Sequence, residues 1–599
     1  MCVDDFSIPQ FKEDDILRKL MKMKIPNSSV PGDLPPKILR QVLIELTPPL
    51  TRLVNSCLRS GKFPDRYKVE TCVVIPKVCP PRALDDLRNL GLTQFFGKFI
   101  EMMVIALLEP FLNGDKAQFG GQKNTGTGHY LIELTDFILE AWETPTQAVV
   151  MLCADFSKGF NRIHPVRLIT TFSDMGIPIY LLKILISYMT GRVMKVRHNG
   201  AWSREHKLPG GSPQGGLLSI IIFCIYTTAC GMRFDEALKS EIPENFPILP
   251  SEESMRDENE IRAKYVDDTS LAVKLMIDEL LKEKGELIVP EFMFEDKTTR
   301  ELTNFEMNPC RNTMMEKIED IEQAVRLNFM KLNEKKSKIL FFNNKKKDGV
   351  MKFQCNGKDL EQVEEIKLIG SHFQSNMGID VHVNAMKNKV NKRIWALRRL
   401  MANEVRVEDG KKFYVSMVRS ILEVNVEVWN GRLNKRNVHD LERLQAKCLR
   451  IILRKKYTSY ELALKQLKLE TLEERRKKLC LNFVTKAAKN HPELYPAKEI
   501  PRNTRLGAKR PLAIPKFKTE KHKNSGKVYL ARLYNDNLQT ISKDKTLPEK
   551  VTVKKRGRCG NCEKCKMPNC GVCKFCKDMK LFGGKNKLKQ SCIHRKCLI

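Results

Sequence analysis

Ala148-Val-Val-Met-Leu-Cys-Ala154 is an unbroken apolar run that ends in Asp155. Tyr265-Val-Asp-Asp268 sets two adjacent aspartates between the apolar flanks Ile261/Ala263 and Leu271-Ala-Val273. The first reads as a buried strand ending in a charge, the second as the tip of a hairpin on a sheet. Two such strands side by side bring Asp155, Asp267 and Asp268 together. Carboxylates that close repel one another unless cations sit among them. Oxygen ligands of this kind suit Mg²⁺, and a metal pair can clamp an in-line phosphoryl displacement. Taken alone, an Asp-Asp dipeptide is more often a pair of solvated loop residues; its weight comes from its surroundings.

Working outward, Thr71-Cys-Val-Val-Ile-Pro76 and Lys338-Ile-Leu-Phe-Phe342 also read as strands, so residues 1–375 mix short β-branched runs with helix. Residues 277–318 are charged and poorly patterned and read as an inserted surface loop. From about 380 the pattern turns helical: Leu441, Leu444, Cys448, Ile451 and Ile452 recur at three- to four-residue spacing with Arg and Lys between them. Residues 376–500 therefore form a helical region. Prolines, lysines and threonines then replace the periodicity, and 501–552 reads as a basic linker with one short packed segment near Val528 to Leu538.

With 599 residues and 42% hydrophobic content the chain can bury several cores, and a net charge of +34 favours a polyanionic partner. No apolar run has the length of a membrane span; Leu217 to Ala229 is too short and carries polar residues. Nothing at the N-terminus resembles a cleavable signal, so no membrane partner is expected. Eleven of the 19 cysteines are scattered without metal spacing, as reduced intracellular thiols are.

The other eight lie in a duplicated pattern. Cys559-Gly-Asn-Cys562-Glu-Lys-Cys565 is followed by Cys570-Gly-Val-Cys573-Lys-Phe-Cys576, with Cys592 and Cys597 completing the set. A Cys-x-x-Cys turn presents two thiolates to one tetrahedral zinc, and eight thiolates make two closed four-sulfur sites. A disulfide knot or a metal-storage tail is the alternative, and a disulfide knot demands an oxidising compartment. Lys and Arg between the cysteines make residues 553–599 a cationic module, which points to nucleic acid.

These residues carry two family resemblances. Cys559 to Cys597, with Lys577-Asp-Met-Lys-Leu-Phe-Gly-Gly584 and Lys589-Gln590-Ser-Cys592, resembles the CXXC zinc finger of DNA methyltransferases, histone methyltransferases and histone demethylases. Leu581 stands where that family usually has lysine. Upstream, the chain resembles the reverse transcriptases of non-LTR (LINE-type) retrotransposons, with five blocks in the family's order. Leu87-Arg88-Asn-Leu-Gly-Leu-Thr93 with Lys98 and Glu101 is similar to R-P-I-S-L-T…K…E, and Ala117-Gln118-Phe-Gly-Gly121 to Q-F-G-F. Asp155-Phe-Ser-Lys-Gly-Phe-Asn161 is similar to D-F-S-K-A-F-D, and Gly211-Ser-Pro-Gln-Gly-Gly-Leu-Leu-Ser219 to G-x-P-Q-G-S-x-L-S. Tyr265-Val-Asp-Asp268 matches Y-x-D-D. Leu332-Asn-Glu-Lys-Lys336-Ser-Lys338 and Lys367-Leu-Ile-Gly370 resemble L-N-x-x-K-T-K and the primer-grip Y-L-G. Asn161, Gly91, Ile220 and Leu368 depart from the family's usual residues; none of them is a metal ligand.

The reverse-transcriptase resemblance implies an α+β right-hand polymerase of fingers, palm and helical thumb, followed by the linker and a small two-zinc finger. It implies that Asp155 and Asp267 ligate two catalytic Mg²⁺, with Asp268 supporting charge and geometry. Phe160 would be the steric gate under the sugar, Gln214 would contact the incoming dNTP and Arg88 would meet its triphosphate. Lys336 would protonate the leaving pyrophosphate. The finger resemblance implies that Cys559, Cys562, Cys565 and Cys597 share one structural Zn²⁺ and Cys570, Cys573, Cys576 and Cys592 the other. It also implies that the loop bearing Lys585, Lys587, Lys589 and Gln590 reads unmethylated CpG in the major groove. The expected partners are an RNA template, a DNA primer, dNTPs and CpG-containing duplex DNA, in the nucleus. The chain opens at the fingers, so no endonuclease is expected before them. Two functions follow: an RNA-directed DNA polymerase tethered by its finger, or a catalytically silent, host-recruited CpG-binding protein on a reverse-transcriptase-like scaffold.

Overall fold

The computed structural model describes the chain apart from residues 1–7, 26–28, 78–79, 113–116, 146, 158, 199, 209–210, 214, 230–259, 266–267, 277–308, 328–329, 344–352, 499–510, 545–566, 585–591 and 596–599. It forms two compact units, Met1–Asn535 and Asp536–Ile599. In chain order the strands of the first unit are β1 (Val69–Pro76), β2 (Leu87–Leu92), β3 (Gln147–Ala154), β4 (Val193–His198), β5 (Ala201–Trp202), β6 (His206–Lys207), β7 (Glu260–Tyr265), β8 (Asp268–Met276), β9 (Lys338–Phe342), β10 (Phe353–Cys355), β11 (Lys358–Gln362), β12 (Glu365–Leu368) and β13 (Ser371–Gln374).

The larger sheet runs β10-β11-β9-β3-β8-β7. β3 lies inside it, antiparallel to β8 from Gln147↔Met276 to Ala154↔Thr269 and antiparallel to β9 from Val149↔Phe342 to Cys153↔Lys338. Side chains alternate faces along a strand, and here neither face meets water. Ala148, Val150, Leu152 and Ala154 enter one hydrophobic core with Phe99, Leu218 and Phe223. Val149, Met151 and Cys153 enter a second with Tyr130, Phe137, Val383 and Trp429. That double burial is why the run is continuously apolar instead of alternating. The Thr127–Ala141 helix lies in the second core and is buried over nearly its whole length.

The smaller sheet runs β2-β1-β4-β5, with β6 on β4. β12 and β13 form a separate hairpin, Leu368↔Ser371 being its last pair. Its two turn residues, Ile369 and Gly370, both have positive φ (40° and 87°), the geometry of a tight hairpin turn. Ile369 is β-branched and strained there. The Asn425 side chain holds it by donating to Ile369 O (2.9 Å) and Ser371 Oγ (3.0 Å), and it accepts from Thr127 Oγ1 (2.7 Å).

Beyond Asp380 the described structure is mainly helical. Leu441, Leu444, Cys448 and Ile452 are buried as their spacing requires, while Ile451 is half-buried. Asn434 caps that helix by accepting from the Asn437 N–H (2.8 Å). Thr471 and Glu474 form a reciprocal capping box on the Leu472–Asn490 helix. Among the described residues no helix is long and apolar enough to cross a membrane.

Two expectations change. The described part of 277–318 is not a loop but the start of the Pro309–Leu327 helix, which buries Met314, Ile318, Ile321 and Val325 at helical spacing in the first core. The 501–552 segment holds more fixed structure than a linker with one short packed piece. From residue 511 to Asn535 it packs on the Thr127–Ala141 helix, burying Leu512, Leu530 and Ala531. Charged groups take part in this packing as well. The buried His522 ring lies between Glu143 (Nδ1···Oε1 3.1 Å) and Asp136 (Nε2···Oδ1 3.2 Å), and Lys527 Nζ lies 3.0 Å from Glu133 Oε1. Burial raises the Glu143 carboxyl, but the Thr519 and Lys518 donors outweigh it and hold the group below its usual range. His522→Ala would remove the buried ring that bridges Glu143 and Asp136 and leave a buried polar group short of a partner, at a cost of about 1–3 kcal/mol. Urea unfolding of the full chain should show a lower midpoint for the variant; an unchanged midpoint would make the packed tail energetically idle.

Candidate active site and zinc finger

Asp155 directly follows β3, and its backbone is held from two sides. Its N–H donates to Ser337 Oγ (3.1 Å), and its carbonyl accepts from the Asn333 N–H (2.8 Å). Phe156 bridges to Leu332, and the Ser157 N–H donates to Lys331 O at 2.8 Å. The Leu332–Lys336 stretch is thereby laid along the end of the strand. This places Lys336 Nζ 3.5 Å from Asp155 Oδ2. That oxygen is buried and accepts no hydrogen bond from any described residue. A buried carboxylate oxygen left so is costly, and its chemistry suits a hard divalent cation.

The β7–β8 hairpin closes at Tyr265↔Asp268. One register step beyond Ala154↔Thr269, the Asp268 backbone falls beside that of Asp155. Asp267 lies outside the described residues, as do Gln214, Lys585, Lys587, Lys589, Gln590, Cys559, Cys562, Cys565 and Cys597. Arg88 is exposed on β2, opposite Ile75 of β1.

Phe160 is half-buried and stacks on Phe223, with ring centroids 4.8 Å apart and planes at 28°. Phe223 belongs to the Leu217–Ala229 helix. Sequence reading passed over it, because an aromatic in so apolar a helix looks like any core residue. The same ring sits 2.8 Å from where a Cβ on Gly159 would stand, so the glycine leaves room for it. The Phe160 carbonyl accepts from the Ser212 N–H at 2.9 Å, joining the Asp155–Asn161 block to the Gly211–Ser219 block. Glu101 matched a family position but carried no expected task. It is buried, and its Oε2 accepts from the Leu217 and Leu218 N–H groups at 2.6 and 3.1 Å. Burial raises its carboxyl above the usual range, against the lowering effect of those two donors.

In the second unit, Cys570, Cys573, Cys576 and Cys592 gather their sulfurs within 4.8 Å of one another. Three of the separations are 3.5 Å (Cys592–Cys570), 3.9 Å (Cys570–Cys576) and 3.9 Å (Cys573–Cys592). Zinc–sulfur bonds of about 2.3 Å in a tetrahedron set sulfurs about 3.8 Å apart, so the four fit one zinc. Gly571 has φ 73° and Gly583 φ 77°, turns that suit glycine. A Cβ on Gly584 would stand 2.2 Å from Lys577 O. Leu581 is exposed.

Residues 75–373 match the family model for reverse transcriptase (RNA-dependent DNA polymerase), and residues 551–597 match that for the CXXC zinc finger domain. The chain therefore carries a reverse transcriptase domain followed by a CXXC finger. It is similar to the RNA-directed DNA polymerase from mobile element jockey of Drosophila funebris, 23% identical over 458 residues that cover 75% of this chain and 44% of that one. The corresponding protein of Drosophila melanogaster is 27% identical over 262 residues, covering 42% and 26%. Over the finger, lysine-specific demethylase 2B of Mus musculus is 56% identical across 45 residues, covering 8% and 3%. The chain thus spans less than half the length of each of these relatives. The solved telomerase of Candida albicans overlaps 73% of this chain and 63% of its own at a TM-score of 0.36 and 10% identity.

A module this small and cationic has little apolar core, and in modules of that kind a bound metal supplies the folding free energy. Native mass spectrometry of the full chain should lose one zinc on Cys576→Ser. Unchanged zinc content would show that the four sulfurs gather without a metal.

Proposed function

We propose that this chain is an RNA-directed DNA polymerase held on unmethylated CpG DNA by its CXXC finger. The observation that carries the reading is the placement of Asp155 at the end of the doubly buried β3, with an undonated carboxylate oxygen beside Lys336 and, one register step beyond Ala154↔Thr269, the Asp268 backbone beside its own. Asp155 and Asp267 are the ligands for two Mg²⁺, with Asp268 in support. Those ions, when bound, supply charge stabilisation at the attacking and leaving oxygens. Lys336 gives a proton to the departing pyrophosphate, and Arg88 and Gln214 meet the nucleotide. Phe160, braced by Phe223, excludes a 2′-hydroxyl by overlap.

The template–primer is a polyanion, and the helical region offers it a surface. Along the Lys435–Leu453 helix, Arg436, His439, Arg443, Lys447 and Arg450 are exposed on the face opposite Leu441, Leu444, Cys448 and Ile452. Trp395, 59% exposed, lies under the Arg399 guanidinium at 4.8 Å. Cations with an interleaved aromatic suit a nucleic-acid backbone and its bases. In the finger, Lys589 and Gln590 are the residues we propose to read the guanine acceptors and cytosine donor of CpG, and binding of such DNA is the ground on which we propose a nuclear location.

Primer extension on a poly-rA template with Mg²⁺ should proceed with the wild type and fall by about 10²–10³ or more in Asp155→Asn, as expected when a positioned charge contribution is lost. No extension by the wild type returns the silent-scaffold alternative. Matched duplexes with CpG, methyl-CpG or no CpG test the finger. CpG should be preferred by about 1–3 kcal/mol per base contact, and equal affinity for all three would reduce the finger to a phosphate-binding tether.

A further inference from the structure

The Leu217–Ala229 helix begins directly after the Gly211–Gly216 segment, and its first N–H groups have no partner within the helix. A local Ser, Thr or Asp usually satisfies them. Here the acceptor comes from 116 residues away: Glu101, on the Phe95–Leu112 helix, takes both the Leu217 and Leu218 N–H groups on one oxygen. Glu101 is 2% exposed. A carboxyl placed so deep is expensive unless hydrogen-bond donors meet it, and here two backbone N–H groups do. The Tyr188 hydroxyl lies between Glu101 and Ser219 Oγ, the latter at 3.0 Å. The buried Arg192 donates to Tyr188 O at 3.0 Å and supplies the opposing charge.

The glycines show how closely this assembly grips the segment. A Cβ on Gly216 would stand 2.1 Å from the Tyr188 hydroxyl and 2.8 Å from Ser219 Oγ. Gly215 has φ 119°, and a Cβ there would stand 2.3 Å from the Gly91 carbonyl oxygen of β2. At its other end the segment is tied to the Phe160 carbonyl through the Ser212 N–H. It is therefore anchored to Glu101, Tyr188 and β2 on one side and to the Asp155–Asn161 block on the other.

We infer that Glu101 and Tyr188 are positioning residues that fix the Gly215–Ser219 stretch and so set the enzyme's affinity for the incoming nucleotide. Neither touches the reacting atoms. The inference rests on the polymerase reading for its kinetic consequence and on the geometry alone for the anchor. Two variants of the full chain test it: Glu101→Gln keeps the shape but removes the charge, and Tyr188→Phe removes one hydroxyl and gives a result even where the first fails to fold. With primer–template saturating, both should raise KM for dNTP with little change in kcat, Glu101→Gln by about tenfold, the size expected for a lost charge-assisted hydrogen bond. Primer–template Kd should stay constant. Hydrogen–deuterium exchange should quicken at the Leu217 and Leu218 amides while the Phe95–Leu112 helix keeps its protection. Unchanged KM and exchange in Tyr188→Phe, or a uniform rise in exchange across the first unit, overturns the inference. If the wild type extends no primer, the polymerase reading falls, and the amide exchange by itself decides whether the anchor exists.

Discussion

The burial of β3 on both faces is the constraint on which the rest of the first unit depends. A strand with no solvent side joins two hydrophobic cores. Val150 and Leu152 belong to one, and Val149 and Met151 to the other. Neither core can shift without the strand, so the residue that follows it is held by both. That residue is Asp155. Its register with β8 and β9 then determines which backbone lies beside it, because a slip of one residue would exchange the two sets of side chains between cores.

Around this strand, buried charges do what apolar packing alone does not, which is to choose partners. Apolar contacts are non-directional, whereas a buried carboxylate tolerates only an arrangement that supplies its donors. Glu101 selects the start of one helix. Asp136 and Glu143 select His522, over separations of 386 and 379 residues. Asn425 plays the neutral version of this part at the β12–β13 turn, where a strained Ile369 is held by two hydrogen bonds. Strain of this kind persists only where the surroundings over-determine it.

The finger solves a different problem. It has few apolar side chains to bury, and four sulfurs gather where a core would otherwise be. The Cys573 sulfur also accepts from the Cys576 N–H at 3.4 Å, capping the short Lys574–Asp578 helix. One residue thus serves the metal set and the backbone together, which lets so few residues hold a shape.

Much was legible in the order of residues. The apolar run at 148–154, the strands at 71–76 and 338–342, the helical periodicity after 380 and the cysteine spacing all depend on neighbours in the chain, and local pattern reports local structure. The misread stretches had weak local patterns. The helix from Pro309 follows a charged segment that hid its period, and the chain after residue 511 is rich in lysine and proline, so its docking by His522 and Lys527 left no mark in composition. What the sequence by itself determined is the set of chemically able groups and the elements that carry them. What only the tertiary structure decided is which of those groups meet. Lys336 beside Asp155, Phe223 under Phe160 and Glu101 at the start of the Leu217–Ala229 helix are contacts between distant segments. They exist because backbone hydrogen bonds and buried packing of the elements that carry these groups bring distant segments together.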